Sequence, residues 1–96
     1  MNNFNVIYKV LSYLECSMDG VVDSERLTGK FYGISEERFR ALLAMLFENG
    51  YIKTRYETAT DRSKIIITLS GLEYWESNPM MIEAREGAKG IAELIP

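Results

Sequence analysis

The stretch that decides the fold is ISEERFRALLAMLFENGYIKTRYETATDRSKIIITL, residues 34–69. Its first half predicts a helix over 35–48, because apolar residues recur there at helical spacing and form one face for burial. Those residues are Phe39, Leu42, Leu43, Leu46 and Phe47. Asn49-Gly50 is expected to end this helix, since both residue types tolerate the left-handed conformation that follows a helix C-terminus.

The second half of this stretch predicts a β-hairpin. Two sets of positions alternate with a period of two, which is the pattern of half-buried strands. Over 51–58, Ile52, Thr54 and Tyr56 alternate with Lys53, Arg55 and Glu57. Over 64–69, Ile65, Ile67 and Leu69 alternate with Ile66 and Thr68. The polar residues 58–63 join the two strands and would form the wing. Upstream, Val21-Val22 follows an Asp-Gly turn signal and predicts a short third strand beside the hairpin. A helix that leads directly into such a hairpin is the core of a winged helix-turn-helix.

The preceding residues supply the other helices of this arrangement. Apolar residues spaced for one helical face predict a first helix over 3–17. A short second helix over 24–31 would direct Leu27 and Phe31 inward, and Ser35 would cap the helix that follows. A short helix, a glycine turn and a longer amphipathic helix together make a helix-turn-helix.

Two further helices are predicted at the C-terminal end. Ser70 and Glu73 match a capping box, which predicts a helix over 71–77. A last helix over 79–94 carries an apolar stripe that would dock on the first helix or, alternatively, pair with a second copy of the chain. Internal docking is the favoured interpretation. The residues of this stripe, and of any interface it forms, are Met81, Ala84, Ala88, Ile91 and Ile95.

The predicted fold class is therefore mainly α-helical with a small β-hairpin or three-stranded sheet. It is an α+β winged helix-turn-helix with two extra C-terminal helices, in one domain over residues 1–96.

The composition argues against several classes of function. Hydrophobic residues make up 47% of the chain and charged residues 26%, which is ordinary for a soluble globular domain. No apolar run approaches the roughly 20 residues that span a bilayer, and the N-terminus lacks the pattern of a signal peptide. With one cysteine, Cys16, and no histidine, the chain lacks the usual zinc ligands and the commonest general base. We expect a cytoplasmic, non-enzymatic protein without metal, cofactor, small-molecule substrate or membrane partner.

The charge distribution is uneven. The net charge is −3, whereas proteins that bind nucleic acids usually carry a basic surplus. Residues 30–64, however, contain seven basic and five acidic side chains, and the rest of the chain contains four basic and nine acidic ones. The predicted helix-turn-helix and wing are thus the most basic part of the molecule.

This basic part offers a candidate DNA-binding surface. The N-terminal part of the second helix of a helix-turn-helix enters the major groove, where arginine can bind guanine through two hydrogen bonds. Arg38 and Arg40 are therefore predicted to face bases, and the cations of the hairpin to face phosphates. The alternative is that all of them are solvated surface charges. The candidate residues are Ser35, Arg38, Arg40, Lys53, Arg55, Arg62 and Lys64.

Several segments resemble the YjcQ family of small winged-helix proteins from bacteria, phages and prophages. The matching pieces are FNVIYKVLSYLE at 4–15, GISEERFRALLAMLFENGYI at 33–52, ITLSGLEYWESNPMM at 67–81 and AKGIAELI at 88–95. The resemblance implies a winged-helix fold and a phage-related origin, and DNA binding is presumed in the family from its fold. It supplies no catalytic or ligand-binding motif.

Two hypotheses about function follow. The first is a phage-type DNA-binding or transcription-regulatory protein whose partner is double-stranded DNA. The second is a protein-interaction module that does not bind DNA and whose partner is another protein or a second copy of itself.

Overall fold

The structure, a computed structural model, describes residues 2–55 and 61–88. Its α-helices and strands in chain order are α1 (Asn3–Cys16), α2 (Gly29–Tyr32), α3 (Glu36–Glu48), β1 (Ile52–Thr54), β2 (Ile65–Ile67), α4 (Leu69–Ser77) and α5 (Pro79–Ala88). The described part is mainly helical with one antiparallel hairpin. This confirms the predicted α+β winged helix-turn-helix arrangement.

The helix-turn-helix is formed by α2, a glycine turn and α3. The Thr28 hydroxyl accepts a hydrogen bond from the Phe31 N–H and caps α2. Gly33 adopts the left-handed conformation at the end of α2, with φ of 74°, which a residue with a Cβ rarely adopts. The Ser35 hydroxyl then accepts from the Arg38 N–H at 3.1 Å and caps α3, as predicted.

The predicted second helix at 24–31 is interrupted in the structure. A 3₁₀ turn at Ser24–Arg26 precedes Leu27, and α2 begins only at Gly29. Leu27 is buried as predicted, but Phe31 is 50% exposed, so its inward orientation was predicted wrongly. Because the helix restarts at Gly29, a different residue faces the core. Tyr32 takes this place, and its ring stacks on that of Phe39 with 5.7 Å between the ring centres.

The hairpin is shorter than predicted. Ile52 pairs with Ile67 and Thr54 with Ile65, so the strands cover only the residues nearest the helices. A 3₁₀ turn at Arg62–Lys64 occupies the predicted start of the second strand. Of the predicted wing at 58–63, residues 58–60 lie outside the described part.

The predicted third strand is absent from the described residues, because the only strands there are β1 and β2. Val22 is buried, whereas Val21 is 90% exposed. The next residue, Asp23, donates its N–H to the Tyr13 hydroxyl at 2.7 Å. The Tyr13 side chain of α1 therefore holds this segment, which was predicted to form a third strand beside the hairpin.

Helix α4 begins two residues earlier than predicted, and Ser70 is not its cap. The Thr68 hydroxyl accepts from the Gly71 N–H at 3.0 Å and donates to the Gly50 carbonyl. The first turn of α4 is thereby tied to the turn that follows α3. Leu69, predicted as part of the strand, is instead the first residue of the helix and is 73% exposed.

Helix α5 packs against α1 and α4. Met81 is fully buried and Ala84 nearly so, which confirms internal docking for this part of the predicted stripe. The Arg85 guanidinium donates to the Trp75 carbonyl at 2.7 Å, and the Trp75 indole donates to the Ser12 hydroxyl of α1 at 2.9 Å. The side chain of Ala88, and Ile91 and Ile95, lie outside the described part of the structure.

Candidate nucleic-acid interface

Three predicted site residues lie at the N-terminal end of α3. Ser35 is exposed, and its hydroxyl is already used as the helix cap. Arg38 is exposed and donates to the Asn3 side-chain oxygen of α1 at 3.1 Å. Arg40 is exposed, and no hydrogen bond or ion pair within the described residues engages it. The two arginines therefore lie on the same helix, with Arg38 bonded to α1 and with the charge of Arg40 helping to lower the pKa of Glu36.

The solvent-facing centre of α3 carries only small or acidic side chains. Glu37, Ala41, Ala44 and Glu48 follow one another at helical spacing, and all four are exposed. Alanine can contact the methyl group of thymine and glutamate can accept from cytosine N4, but neither residue attracts phosphate. This face therefore suits base edges and not the DNA backbone.

Three predicted phosphate contacts lie together on the outer face of the hairpin. Lys53 alternates with the inward-facing Ile52 along β1, and Arg55 follows on the same side. The Arg55 N–H donates to the Lys64 carbonyl at 2.7 Å, so these two residues are cross-strand neighbours. Lys53, Arg55 and Lys64 are all exposed. The fold thus brings together cations that are up to eleven positions apart in sequence.

Arg62 is engaged inside the protein. Its guanidinium donates to the Leu27 carbonyl at 2.8 Å and to the Glu36 carboxylate at 2.5 Å, and it lies 5.4 Å from the centre of the Phe39 ring. Glu36 in turn accepts from the Gly29 N–H at 3.0 Å. Arg62 and Glu36 therefore connect the base of the wing to the start of both helix-turn-helix helices.

This ion pair favours the charged form of Glu36. The hydrogen bond from Arg62, followed by that from the Gly29 N–H, holds the pKa of the Glu36 carboxyl below its usual range. From its position in the first turn of α3, Glu36 would be expected only to stabilise the helix dipole. Its partner is 26 residues away, and no periodic pattern connects positions so far apart.

No group of three or more His, Cys, Asp or Glu side chains is arranged in the described residues to hold a metal ion. None of the described helices has the length and hydropathy needed to cross a membrane.

Comparison with known protein families identifies a relationship that covers most of the chain. The sequence model of a family described as YjcQ protein matches residues 8–94, which is nearly the whole chain. No curated protein and no solved structure shows a significant match.

Proposed function

The chain belongs to the YjcQ family, and we propose that it is a DNA-binding regulatory protein of phage or prophage origin. In this proposal the N-terminal half of α3 enters the major groove, with Arg38 and Arg40 toward bases. The outer face of the hairpin contacts phosphates through Lys53, Arg55 and Lys64. Double-stranded DNA is the expected partner.

The observation that carries the proposal is the cluster of three exposed cations on the hairpin. The side chains of Lys53, Arg55 and Lys64 have no hydrogen bond or ion pair to any described residue, so their charge is available to a ligand. A row of phosphates is the polyanion that such a cluster fits, because each neutralised phosphate releases condensed counterions. In this proposal Arg62 positions the hairpin and does not contact DNA.

The test is the salt dependence of binding to random-sequence duplex DNA, measured by fluorescence anisotropy. Binding should weaken steeply between low and near-physiological salt, with a slope of about 0.9 in log K per log salt for each phosphate contacted. A triple variant, Lys53→Gln, Arg55→Gln and Lys64→Gln, should reduce that slope by about 2 to 3. Lys9→Gln, on α1, removes one charge away from the hairpin and serves as the control.

Two results would contradict the proposal. Absence of binding at low salt would remove the phosphate-contacting role from the hairpin. An unchanged slope in the triple variant, with wild-type binding intact, would mean that the phosphates are contacted elsewhere.

A protein-interaction module is the second candidate, and one observation favours it. Met45 and Phe47 of α3 are 52% and 38% exposed, and Ala41 and Ala44 are exposed beside them. Large apolar side chains on a helix surface are common at protein interfaces. Light scattering on the full-length protein tests self-association: a dimer that the Met45→Lys variant converts to a monomer would support this candidate.

A further inference from the structure

A groove separates α3 from the inner face of the hairpin. Its volume is about 360 Å³, which falls within the roughly 300–1,000 Å³ range of small-molecule sites. Leu43, Ala44 and Phe47 of α3 form one wall, and Ile65 of β2 forms part of the other. Phe47 is 38% exposed, so a large part of its ring is accessible to a ligand.

Four polar residues also line the groove. They are Thr54, Asp61, Arg62 and Arg40. The Asp61 carboxylate already accepts from the Ser63 N–H at 2.8 Å, and the Arg62 guanidinium is occupied by the contacts described above. Of the charged groups that line the groove, only Arg40 has no hydrogen bond or ion pair to another described residue, although its charge acts on the Glu36 carboxyl.

We propose that this groove binds a small amphipathic carboxylate. The apolar body of the ligand lies against Phe47, Ala44 and Ile65, and its carboxylate pairs with the Arg40 guanidinium. Arginine presents two parallel N–H donors that match a carboxylate. A purely apolar ligand would make no use of the Arg40 guanidinium, and a cationic one would be repelled by it.

The site has a consequence for DNA binding that rests on the proposed function. Arg40 is one of the two arginines proposed to face bases, and a bound carboxylate would occupy its donors. Ligand and DNA would therefore compete for Arg40, and the carboxylate would weaken specific binding. The same coupling acts in both directions, so DNA would weaken ligand binding by the same factor.

Calorimetric titration of the full-length protein with octanoate, without DNA, tests the site itself. Octanol serves as the uncharged probe with the same apolar chain. Octanoate should bind more tightly than octanol, and Arg40→Gln should weaken octanoate by about tenfold or more while leaving octanol unchanged. Lys30→Gln removes an exposed charge outside the groove and should leave both probes unchanged.

A second pair of variants tests the apolar wall. Ala44→Leu fills the groove from an exposed helix position and should abolish binding of both probes. Ala41→Leu makes the same change on the face of α3 outside the groove and should leave binding intact. In ¹H–¹⁵N spectra, octanoate should shift the amide signals of Leu43, Ala44 and Phe47 and leave those of α5 unchanged.

Three outcomes would overturn the proposal: no octanoate binding at millimolar concentration, equal affinity for octanoate and octanol, or full octanoate binding by Ala44→Leu. Failure of the DNA proposal would give a different pattern. Octanoate would still bind and depend on Arg40, while duplex DNA would not bind at low salt.

Discussion

The ion pair between Glu36 and Arg62 should be a main attachment of the hairpin to the helix-turn-helix. The two side chains are 42% and 23% exposed. An exposed ion pair contributes about 0.2–1 kcal/mol, whereas a hydrogen bond to a charged group contributes about 1.5–3 kcal/mol. This pair lies between those cases, so we expect a coupling free energy of about 1–2 kcal/mol.

A double-mutant cycle measures that coupling directly. Glu36→Gln keeps an acceptor for the Gly29 N–H but removes the charge, and Arg62→Ala removes the whole guanidinium. Arg62→Ala alone should cost about 2–3 kcal/mol, because it also loses the Leu27 carbonyl bond and the contact with the Phe39 ring. Urea unfolding followed by circular dichroism gives the free energy of unfolding of each variant and of the double variant.

The pH dependence gives an independent check on the same pair. Arg62 lowers the pKa of Glu36 in the folded state, so the stabilisation is complete above the ordinary pKa of a glutamate and is lost as the pH falls through the folded-state value. The difference in stability between wild type and Glu36→Gln should thus be constant near neutral pH and should close in acid. A coupling energy of zero, or a difference that persists in acid, would refute this account of the hairpin's attachment.

Three further substitutions test other parts of the fold by thermal and urea unfolding. Gly71→Ala should destabilise by about 1–3 kcal/mol, because a Cβ would overlap the Tyr51 carbonyl oxygen; a neutral effect would contradict this close approach. Met81→Ala should cost about 2–5 kcal/mol, since Met81 is fully buried where α5 docks; a loss near zero would mean that α5 is not docked in solution. Thr68→Ala should cost about 1 kcal/mol or more as the cap of α4, whereas Ser70→Ala should be close to neutral; the reverse order would restore the capping box at Ser70.

Helix α3 and the docked part of α5 were predictable because their signals are local. Helix α3 spans Glu36–Glu48 against a predicted 35–48, since an apolar face, a cap and a glycine turn all lie within one short segment. The docking of Met81 and Ala84 could also be predicted, because their spacing defines a face of α5. In each case the residues that form the element also carry the pattern.

The second helix was predicted less well for a physical reason. The spacing of Leu27 and Phe31 suits one continuous helix, but Thr28 can cap a helix as well as lie inside one. In the structure it caps α2, which restarts the helical phase. The apolar pattern alone cannot distinguish a continuous helix from two short pieces when a capping residue lies between the apolar positions.

Hydrogen bonds between side chains distant in sequence could not be predicted. Arg62 and Glu36, and likewise Trp75 and Ser12, are brought together by the packing of separate elements. This changes the candidate site. Arg62 was predicted to contact phosphate because it lies beside the wing, but in the structure it is paired with Glu36. The charge of an arginine can be read from the sequence, but whether it is free depends on the fold.

The remaining charges are divided between α3 and the hairpin, in a chain whose net charge is −3. The acids on the exposed centre of α3 are Glu37 and Glu48, while the unpartnered cations of the hairpin are Lys53, Arg55 and Lys64. If DNA is bound as proposed, α3 would repel the phosphates and contribute chiefly to discrimination between bases. The hairpin would then supply most of the salt-dependent affinity. Removing the hairpin cations should therefore weaken binding to all sequences alike, whereas changes on α3 should alter which sequence is preferred.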